Sequence, residues 1–400
     1  MRTVSAFAAI GGVCFALAGC SGDDGATGAA GAPGPEGAPG APGAAGPVGP
    51  AAPAPAPATE APKAVYTLSN DATTNAVVVY ERAADGTLTP RDSYPTGGRG
   101  TASGLGNQGA LAFDKATSTF YAVNAGDDSI SMLSLKVDGS LALVSKVASG
   151  GAMPISVTVS NDILYTVNAG NASTPANIVG FKISRGGLTR MENANQPLSA
   201  AQPAPAQIEF TPDGKFLVVT EKGTNMIDTY AVTNGIAAAP KSQPSSGMTP
   251  FGFAFSAQSH LIVSEAFGGA DAASATSSYT VGDDGSITAK TASALSQQSA
   301  ACWVTVAGSF AYVTNTRSNT VTAYSVGNDG AISLLKGSGV AGQTGMTPID
   351  LDASDDDKLL YTLNRGDHTL SIFDIAADGS LVKKSDFAGL PESATGLVAR

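Results

Sequence analysis

The stretch AYVTNTRSNTVTAYSVGNDG, residues 311–330, decides the fold of this chain. Its β-branched and aromatic residues alternate with polar ones in two short runs, which predicts two β-strands separated by a polar turn and followed by an Asp-Gly turn. Similar units recur along the chain, most clearly at residues 120–135 and 360–375. Self-similarity at a period of this length indicates a repeat architecture.

Each repeat ends in a turn that contains glycine, and these turns count the repeats. Several are Asp-Gly hairpin turns, in which glycine supplies a positive φ and aspartate caps the turn. The seven glycines recur about every 49 residues, and they are Gly86, Gly139, Gly186, Gly235, Gly285, Gly330 and Gly379. A spacing of this size holds four strands, so the sequence predicts an all-β, seven-bladed β-propeller with four antiparallel strands per blade.

The two ends of the repeat region complement each other. The region begins with a segment that resembles a second strand, Val65–Leu68, while the final segment, Ala394–Ala399, resembles an inner strand such as Gln207–Phe210. We therefore expect the C-terminal strand to complete the first blade, because this pairing leaves no open blade edge. The propeller is predicted to span residues 63–400.

Residues 1–19 have the character of a bacterial lipoprotein signal peptide. Arg2 precedes an uncharged apolar segment that is too short to span a bilayer comfortably, and the segment ends in Leu-Ala-Gly-Cys at Cys20. This tetrapeptide resembles the lipobox, so Cys20 is the predicted lipidation site and the N-terminal lipid the predicted membrane anchor. Ser21, in place of aspartate, favours delivery to the outer membrane or cell surface.

Residues 20–62 form a stalk of biased composition. Glycine occupies every third position from Gly25 to Gly49, as in collagen, and an Ala-Pro alternation follows. Two interpretations remain open. The run is either a disordered or polyproline-type spacer or a collagen-like segment that makes the protein a homotrimer.

Composition narrows the functional classes. The formal net charge of -11 argues against a nucleic-acid partner, because an acidic protein gains nothing electrostatically from binding phosphates. Cys302 is the one cysteine beyond Cys20, and an isolated thiol of this kind is expected to be buried and inert. The sequence contains no phosphate-binding loop, dinucleotide fingerprint or zinc spacing, so no cofactor and no metal are expected.

The repeats resemble those of a known family. Tyr312–Asn315, the Pro-Asp-Gly-Lys turn at 212–215 and the Asp-Gly turns are similar to the lactonase-family propellers, which include 6-phosphogluconolactonase and carboxymuconate cyclase, and to YVTN-repeat propellers. The resemblance covers about residues 62–400. It implies a propeller with a site near the central channel that uses His, Glu and Arg, yet the chain has only two histidines, His260 and His368.

Repeat positions give a map of the predicted site. In a propeller blade the inner strand starts on the face where the second strand ends, so both positions surround one mouth of the channel. Most second strands end in Asn, whereas two adjacent ones end in Glu221 and Glu265, which are predicted as catalytic carboxylates or alternatively as turn residues. Arg365 and His368, in a loop on the same face, complete the candidate catalytic set.

The candidate ligand-binding residues come from the same mouth. Most occupy inner-strand starts, where a side chain can reach a ligand in the channel, and one lies in a neighbouring loop. They are Ser156, Gln207, Trp303, Asp350 and Arg317. The alternative for Trp303 is packing between blades, and for Arg317 an ordinary surface position.

Two functions remain open at this stage. The first is a cell-envelope, lactonase-like propeller that binds, and hydrolyses or isomerises, a small polar lactone or carboxylate at the channel mouth. The second is a non-catalytic scaffold whose propeller face binds an envelope protein or a glycan. The shortage of histidine favours the scaffold, and the clustered Glu and Arg residues favour the lactonase.

Overall fold

The computed structural model describes residues 60–400 and the stalk residues Gly34, Gly37 and Gly40. The predicted signal peptide, the lipidation of Cys20 and the choice between a spacer and a trimeric stalk lie outside the described residues. Within 60–400 the structure is a ring of seven four-stranded antiparallel sheets, as predicted.

Blade by blade, the strands follow the repeat period. The first three blades comprise β1 (Ala64–Leu68), β2 (Ala76–Arg82), β3 (Leu88–Pro95); β4 (Leu111–Asp114), β5 (Thr119–Asn124), β6 (Ser129–Leu135), β7 (Leu141–Ala148); and β8 (Pro154–Ser160), β9 (Ile163–Asn168), β10 (Asn177–Ser184), β11 (Gly187–Pro197). In each complete set the first strand is the inner one and the fourth is the outer one.

The remaining blades repeat this order, and in blades 4 and 6 the outer strand is split in two. They comprise β12 (Pro205–Phe210), β13 (Phe216–Glu221), β14 (Met226–Thr233), β15 (Ile236–Ala237), β16 (Lys241–Pro244); β17 (Pro250–Phe255), β18 (Leu261–Glu265), β19 (Ala275–Val281), β20 (Ile287–Leu295); β21 (Ala301–Ala307), β22 (Phe310–Asn315), β23 (Thr320–Val326), β24 (Ile332–Leu334), β25 (Gly342–Gln343); and β26 (Pro348–Ala353), β27 (Leu359–Asn364), β28 (Thr369–Ile375), β29 (Leu381–Ala388), β30 (Thr395–Ala399).

The ring closes through the C-terminal strand. Strand β30 pairs antiparallel with β1, where Val65 lies opposite Ala399 and Tyr66 opposite Val398. Blade 1 therefore has the order β3-β2-β1-β30. The prediction that the last strand completes the first blade is confirmed. Blade 1, like the other six blades, therefore has an inner strand.

The core lies between neighbouring blades, where side chains of the second and third strands are buried. Tyrosines from these strands are fully buried and several use their hydroxyl groups to reach the next blade. The Tyr165 hydroxyl donates to the Gly235 carbonyl at 2.9 Å, and that of Tyr312 donates to the Gly379 carbonyl at 3.0 Å. The glycine turns that count the repeats thus also receive hydrogen bonds that join one blade to the next.

Helix is almost absent from this part of the chain. Residues 60–400 contain one 3₁₀ turn, Phe267–Gly269, between β18 and β19. Within these residues no helix has the length and apolar character that crossing a membrane requires.

Candidate functional site

The predicted mouth of the channel is filled by the chain itself. We call residues 104–109, part of the connection between β3 and β4, the plug loop. The backbone amide of Gln108 donates to the Ala206 carbonyl at 3.0 Å, and the Asn107 side chain donates to the Ile155 carbonyl. The plug loop is therefore bonded to the inner strands of blades 3 and 4.

The Gln108 side chain extends the plug loop across the ring to blade 6. Its Nε2 donates to the Val304 carbonyl at 2.7 Å, and its Oε1 accepts from the Val304 amide at 3.0 Å. Gly252 makes this approach possible, because a Cβ there would lie 2.1 Å from the Gln108 Oε1. The amide thus satisfies a backbone donor and acceptor that the inner strand leaves unpaired.

Trp303 holds the plug loop in place. Its side chain is 4% exposed, and its Nε1 donates to the Asn107 carbonyl at 2.5 Å. The indole also packs on Phe251, with ring centroids 5.0 Å apart. The alternative interpretation of Trp303, a packing residue, therefore describes it better than a ligand-stacking role.

Lys222, the residue after the predicted catalytic Glu221, also contacts the plug loop. Its ammonium group donates to the Gly106 carbonyl and lies 4.6 Å from the centroid of the Phe251 ring. Burial lowers the pKa of Lys222 to about 8. The ammonium group of Lys222 at this mouth therefore contacts the backbone of the plug loop.

The two predicted catalytic carboxylates lie inside their blades. Both have no exposed surface. Glu221 accepts from the Ser199 amide at 2.9 Å and from the hydroxyls of Ser199 and Thr224. Glu265 accepts from the Gly247 amide at 2.8 Å and the Ser293 hydroxyl at 2.6 Å. The expectation that they face the mouth is wrong, because the connections that precede their blades, at Ser199 and Gly247, and hydroxyl groups of their own blades enclose them.

Arg365 and His368 occupy the loop between β27 and β28, and Arg317 occupies the corresponding loop of blade 6. The Arg365 guanidinium lies against Gly104 of the plug loop, where an added Cβ would be 2.4 Å from Nη1. His368 has φ 56°, the left-handed turn conformation also found at the equivalent Asn319, and it precedes the third strand of blade 7. Arg317 is 58% exposed and pairs with Asp271 at 3.2 Å. The structure does not bring these three side chains together with the glutamates.

Ser156 and Gln207 connect neighbouring inner strands. The Ser156 Oγ accepts from the Ile208 amide at 3.2 Å. The Gln207 side chain accepts from the Phe253 amide at 2.7 Å and donates to the Phe253 carbonyl at 2.9 Å. Both residues lie on inner strands, and these contacts hold one blade to the next.

The structure shows a cavity of about 740 Å³ in the channel, beneath the plug loop. Gln108 and Gln207 line its inner end, and the exposed turns at 114–117 and 161–162 line its other end. These turns follow the inner strands β4 and β8, so the cavity opens on the face opposite the predicted mouth. Asp350, the remaining predicted ligand-binding residue, lines this cavity.

Three carboxyl groups from two inner strands define the chemistry of the cavity. Glu209 lies on β12, and Asp350 and Asp352 lie on β26. Burial raises the pKa of Glu209 to about 8 and that of Asp352 to about 7, and it raises that of Asp350 well above its usual range. At neutral pH the cavity therefore holds carboxyl groups that can donate as well as accept hydrogen bonds.

Existing contacts leave part of this acidic set available. Glu209 accepts one hydrogen bond, from the Gln207 Nε2 at 2.9 Å, and keeps partial exposure toward the channel. Asp352 accepts from the Ala399 amide at 2.9 Å, which ties blade 7 to the closing strand, and from the Ala353 amide at 3.0 Å, and it too is partly exposed. Asp350 is 3% exposed and accepts from the Leu351 amide. Glu209 and Asp352 are the residues best placed to contact a ligand.

Sequence reasoning missed Glu209 and Asp352, although a signal was present. Side chains two residues apart on a strand point to the same face. The sequence places Gln207 and Asp350 at the channel, so the residues two positions later are predictable neighbours on the same wall. The starts of the inner strands alone point to the other mouth.

The described residues contain neither a reactive thiol nor a metal-binding cluster. Cys302 is buried, and burial raises the pKa of its thiol to about 12, so it remains protonated and is a poor nucleophile. Among residues 60–400, no three His, Cys, Asp or Glu side chains are grouped so that they could hold a metal ion.

A family model described as the Choice-of-anchor I domain matches residues 110–364, well over half of the chain. No curated protein matches the sequence.

Several solved structures share the fold at low sequence identity. A candidate 6-phosphogluconolactonase from Bacteroides uniformis is 16% identical, with a TM-score of 0.63 over 84% of this chain and 99% of that one. The periplasmic gluconolactonase of Pseudomonas aeruginosa is 15% identical, with a TM-score of 0.63 over 84% and 98%. A Lactobacillus plantarum protein is 18% identical, with a TM-score of 0.67 over 84% and 98%. At such identities the likeness establishes the fold alone.

Proposed function

This chain belongs to the Choice-of-anchor I domain family, and from that premise we propose that it is a lactonase-like propeller that binds a small, hydroxyl-rich lactone in its central channel. The observation that carries the proposal is the cavity of about 740 Å³ that contains Glu209, Asp350 and Asp352. A concave site with convergent polar groups and shifted pKa values is the usual form of a small-molecule site. Two structural neighbours, a candidate 6-phosphogluconolactonase and a periplasmic gluconolactonase, support the choice of a lactone as ligand.

The charge of the cavity favours a neutral ligand over a carboxylate. Its wall has one cationic residue, Lys115, and five carboxyl groups, those of Asp114, Asp162, Glu209, Asp350 and Asp352. Ionised carboxylates repel an anion, whereas both protonation states bind hydroxyl groups. Glu209, with a pKa of about 8, is mostly protonated at neutral pH and can donate to a lactone oxygen. A sugar lactone, neutral and rich in hydroxyl groups, matches this wall better than the carboxylate that was the other sequence-based candidate.

The same groups suit lactone hydrolysis. In that reaction the oxygen of water adds to the carbonyl carbon, the ring C–O bond breaks, and the departing ring oxygen takes a proton, which leaves a hydroxy acid. Asp352, with a pKa of about 7, is placed to accept a proton from water when its carboxyl group is ionised. Protonated Glu209 is placed to donate a proton to the departing ring oxygen. The proposal assigns these roles to the two partly exposed carboxyl groups.

Binding measured by calorimetry tests the proposal. The wild-type protein and two variants are titrated with a panel of sugar lactones, beginning with glucono-δ-lactone. We expect Glu209→Gln to weaken binding about tenfold, the value of one hydrogen bond, and to slow any turnover about 100-fold. Glu265→Gln, on the other face, should bind as the wild type does. Loss of binding in Glu265→Gln with normal binding in Glu209→Gln would contradict the proposal and indicate a lactone site at the mouth that the plug loop fills.

A non-catalytic scaffold is the second candidate, and one observation favours it. The plug loop closes the face that was predicted to hold the site, and nearby loops of that face expose two methionines, Met248 at 56% and Met346 at 57%. Exposed flexible apolar side chains are common at protein-binding surfaces. If no lactone binds, capture of an envelope protein or glycan that is lost in Met248→Asp and Met346→Asp would support the scaffold.

We further propose that the protein is an exported lipoprotein, held in the envelope by a lipid on Cys20 with the Gly/Pro-rich stalk between the membrane and the propeller. The lipobox-like segment that ends at Cys20 supports this proposal. So does the periplasmic location named for the Pseudomonas aeruginosa relative. Delivery to the outer membrane or cell surface, suggested by Ser21, is part of the same proposal.

A further inference from the structure

A second cavity, of about 330 Å³, lies beside the open end of the channel. Its wall carries the cationic side chains of Lys63, Lys115, Lys136 and Arg400, together with the carboxylate of Asp355. These residues come from blades 1, 2 and 7, which the closing strand brings together. We call this cavity the basic pocket.

Arg400 is the most buried cation in the basic pocket. It is 7% exposed, and its guanidinium carbon lies 4.9 Å from the centroid of the Phe113 ring. Its Nε and Nη1 atoms are buried and have no hydrogen-bond partner among the described residues. Burial raises the pKa of the adjacent Tyr66 hydroxyl and the Arg400 guanidinium lowers it, and this hydroxyl also has no partner at hydrogen-bond distance. Buried donors without acceptors are unfavourable, so an acceptor in this place would stabilise the protein.

The charge balance of the basic pocket is positive. Lys63 lies 3.2 Å and Lys115 lies 3.8 Å from the same oxygen of Asp355, so one carboxylate serves two ammonium groups. Lys136 and Arg400 form no ion pair with any described residue. Glu60 is the one other acidic residue on the wall. This concentration of cations is local, since the whole chain carries a formal charge of -11.

We propose that the basic pocket binds a small oxyanion, either free or as the charged group of a larger ligand. A planar guanidinium held against an aromatic ring, with ammonium groups around it, is suited to the oxygens of a phosphate or carboxylate. The cavity volume admits such an anion. This inference does not rest on the proposed lactone site, although Lys115 lines both cavities and an anion here would lie at the rim of the channel.

Titration of the full-length protein in detergent with sodium phosphate, at constant ionic strength and pH 7, tests the proposal. We expect saturable binding that Arg400→Met weakens at least about tenfold and Lys136→Gln about threefold, since each removes a charged partner of the anion. Lys136 is exposed, so its replacement leaves the fold intact if Arg400→Met disturbs the closing strand. Lys290→Gln, at an exposed position on β20, is the matched control and should bind as the wild type does.

The outcomes show whether the basic pocket binds an anion and whether that anion is free or part of a larger ligand. Glycerol 3-phosphate that binds as tightly as phosphate indicates an anion carried by a larger ligand, and phosphate binding without glycerol 3-phosphate binding indicates a free anion. No saturable binding of either, or affinities that are equal in the wild type, Arg400→Met and Lys136→Gln, would overturn the proposal. Lactone binding is measured on the same variants, and its failure alone would concern only the channel site.

Discussion

At the residue scale, the end of the second strand has a structural role in every blade in which the structure shows its contacts. Asn124, in blade 2, donates to the hydroxyls of Ser129 and Ser131 and accepts from Asn75 and Thr96. Glu221 occupies the same repeat position and is likewise enclosed, by the connection that contains Ser199 and by the turn that contains Thr224. The side chain at this position supplies hydrogen bonds to loop backbone and hydroxyl groups, and a carboxylate does so as well as an amide.

A second buried carboxyl group, that of Asp228, lies beside Glu221. Asp228, on the neighbouring strand β14, shares the Ser199 amide with Glu221, at 3.2 Å and 2.9 Å respectively. Burial, followed by the contact with Glu221, raises the pKa of Asp228 to about 7. The Asp228–Glu221 pair is therefore stable when it holds one proton, and its two carboxylates repel each other when it holds none.

The sign of the resulting pH dependence follows from linkage. The pKa of Asp228 is raised above its unfolded value of about 3.8, so the folded protein holds a proton that the unfolded chain releases. Stability from this group is complete below pH 4 and is lost as pH rises through 7. We expect Asp228→Asn, which cannot ionise, to reduce the loss of unfolding free energy between pH 5 and pH 8.5 by about 1–3 kcal/mol.

Urea unfolding of the wild type and Asp228→Asn at pH 5 and pH 8.5 measures this difference. Asp374→Asn, on the third strand of blade 7, removes an exposed carboxylate and is the control. Equal pH dependence in the wild type and Asp228→Asn would show that the buried pair does not carry the effect.

At the element scale, the plug loop decides which end of the channel is open. It is short and rich in glycine, and it contacts blades 3, 4 and 6 through Asn107 and Gln108. Its side-chain amides pair with backbone groups that a propeller's inner strands otherwise leave to water or a ligand. The loop thus replaces a ligand at the predicted mouth and forms the floor of the cavity that opens on the other face.

A single substitution tests the contribution of the plug loop. Gln108→Ala leaves the Val304 amide and carbonyl, both inside the ring, without the partners that now lie 3.0 Å and 2.7 Å away. We expect this change to lower the free energy of unfolding by about 1–3 kcal/mol and to speed hydrogen exchange of the Val304 amide. The control Gln202→Ala, in an exposed loop, should alter neither. Unchanged exchange at Val304 in Gln108→Ala would mean that the plug loop is not a fixed part of the ring.

At the scale of the whole molecule, ring closure arranges the chain for both proposed sites. Strand β30 completes blade 1, and its neighbour Asp352 accepts from the Ala399 amide, which joins blades 7 and 1. The same closure places Arg400 beside Lys63 and Lys115. The channel cavity proposed to bind a lactone and the basic pocket therefore lie at adjacent positions on one face of the ring.

The proposed membrane attachment is a property of the entire chain and is tested on it. In a bacterial host, the wild-type protein should be found in the membrane fraction, and Cys20→Ser should appear in the soluble envelope fraction because a serine cannot carry the thioether-linked lipid. Cys302→Ser, which changes a buried thiol far along the chain, should fractionate as the wild type does. Membrane recovery of Cys20→Ser equal to that of the wild type would exclude lipidation as the anchor.

By itself, the sequence determined the number of blades, the strands within each and the closing strand. These features depend on local physics, since alternation of apolar residues specifies strands and Asp-Gly pairs specify turns at a constant spacing. The alternation also contained the clue to Glu209 and Asp352, two positions beyond Gln207 and Asp350 on their strands.

Only the tertiary structure decided which face holds the open cavity, which carboxyl groups are enclosed, and where the cations gather. The Gln108 contact with Val304 joins residues 196 positions apart, and no local pattern specifies such a pairing. Whether Glu221 faces a ligand or its own blade depends on the path of the loop that contains Ser199, and the basic pocket exists because ring closure unites the two ends of the domain. Contacts of this kind are set by packing across the ring, which becomes visible only when all seven blades are in place.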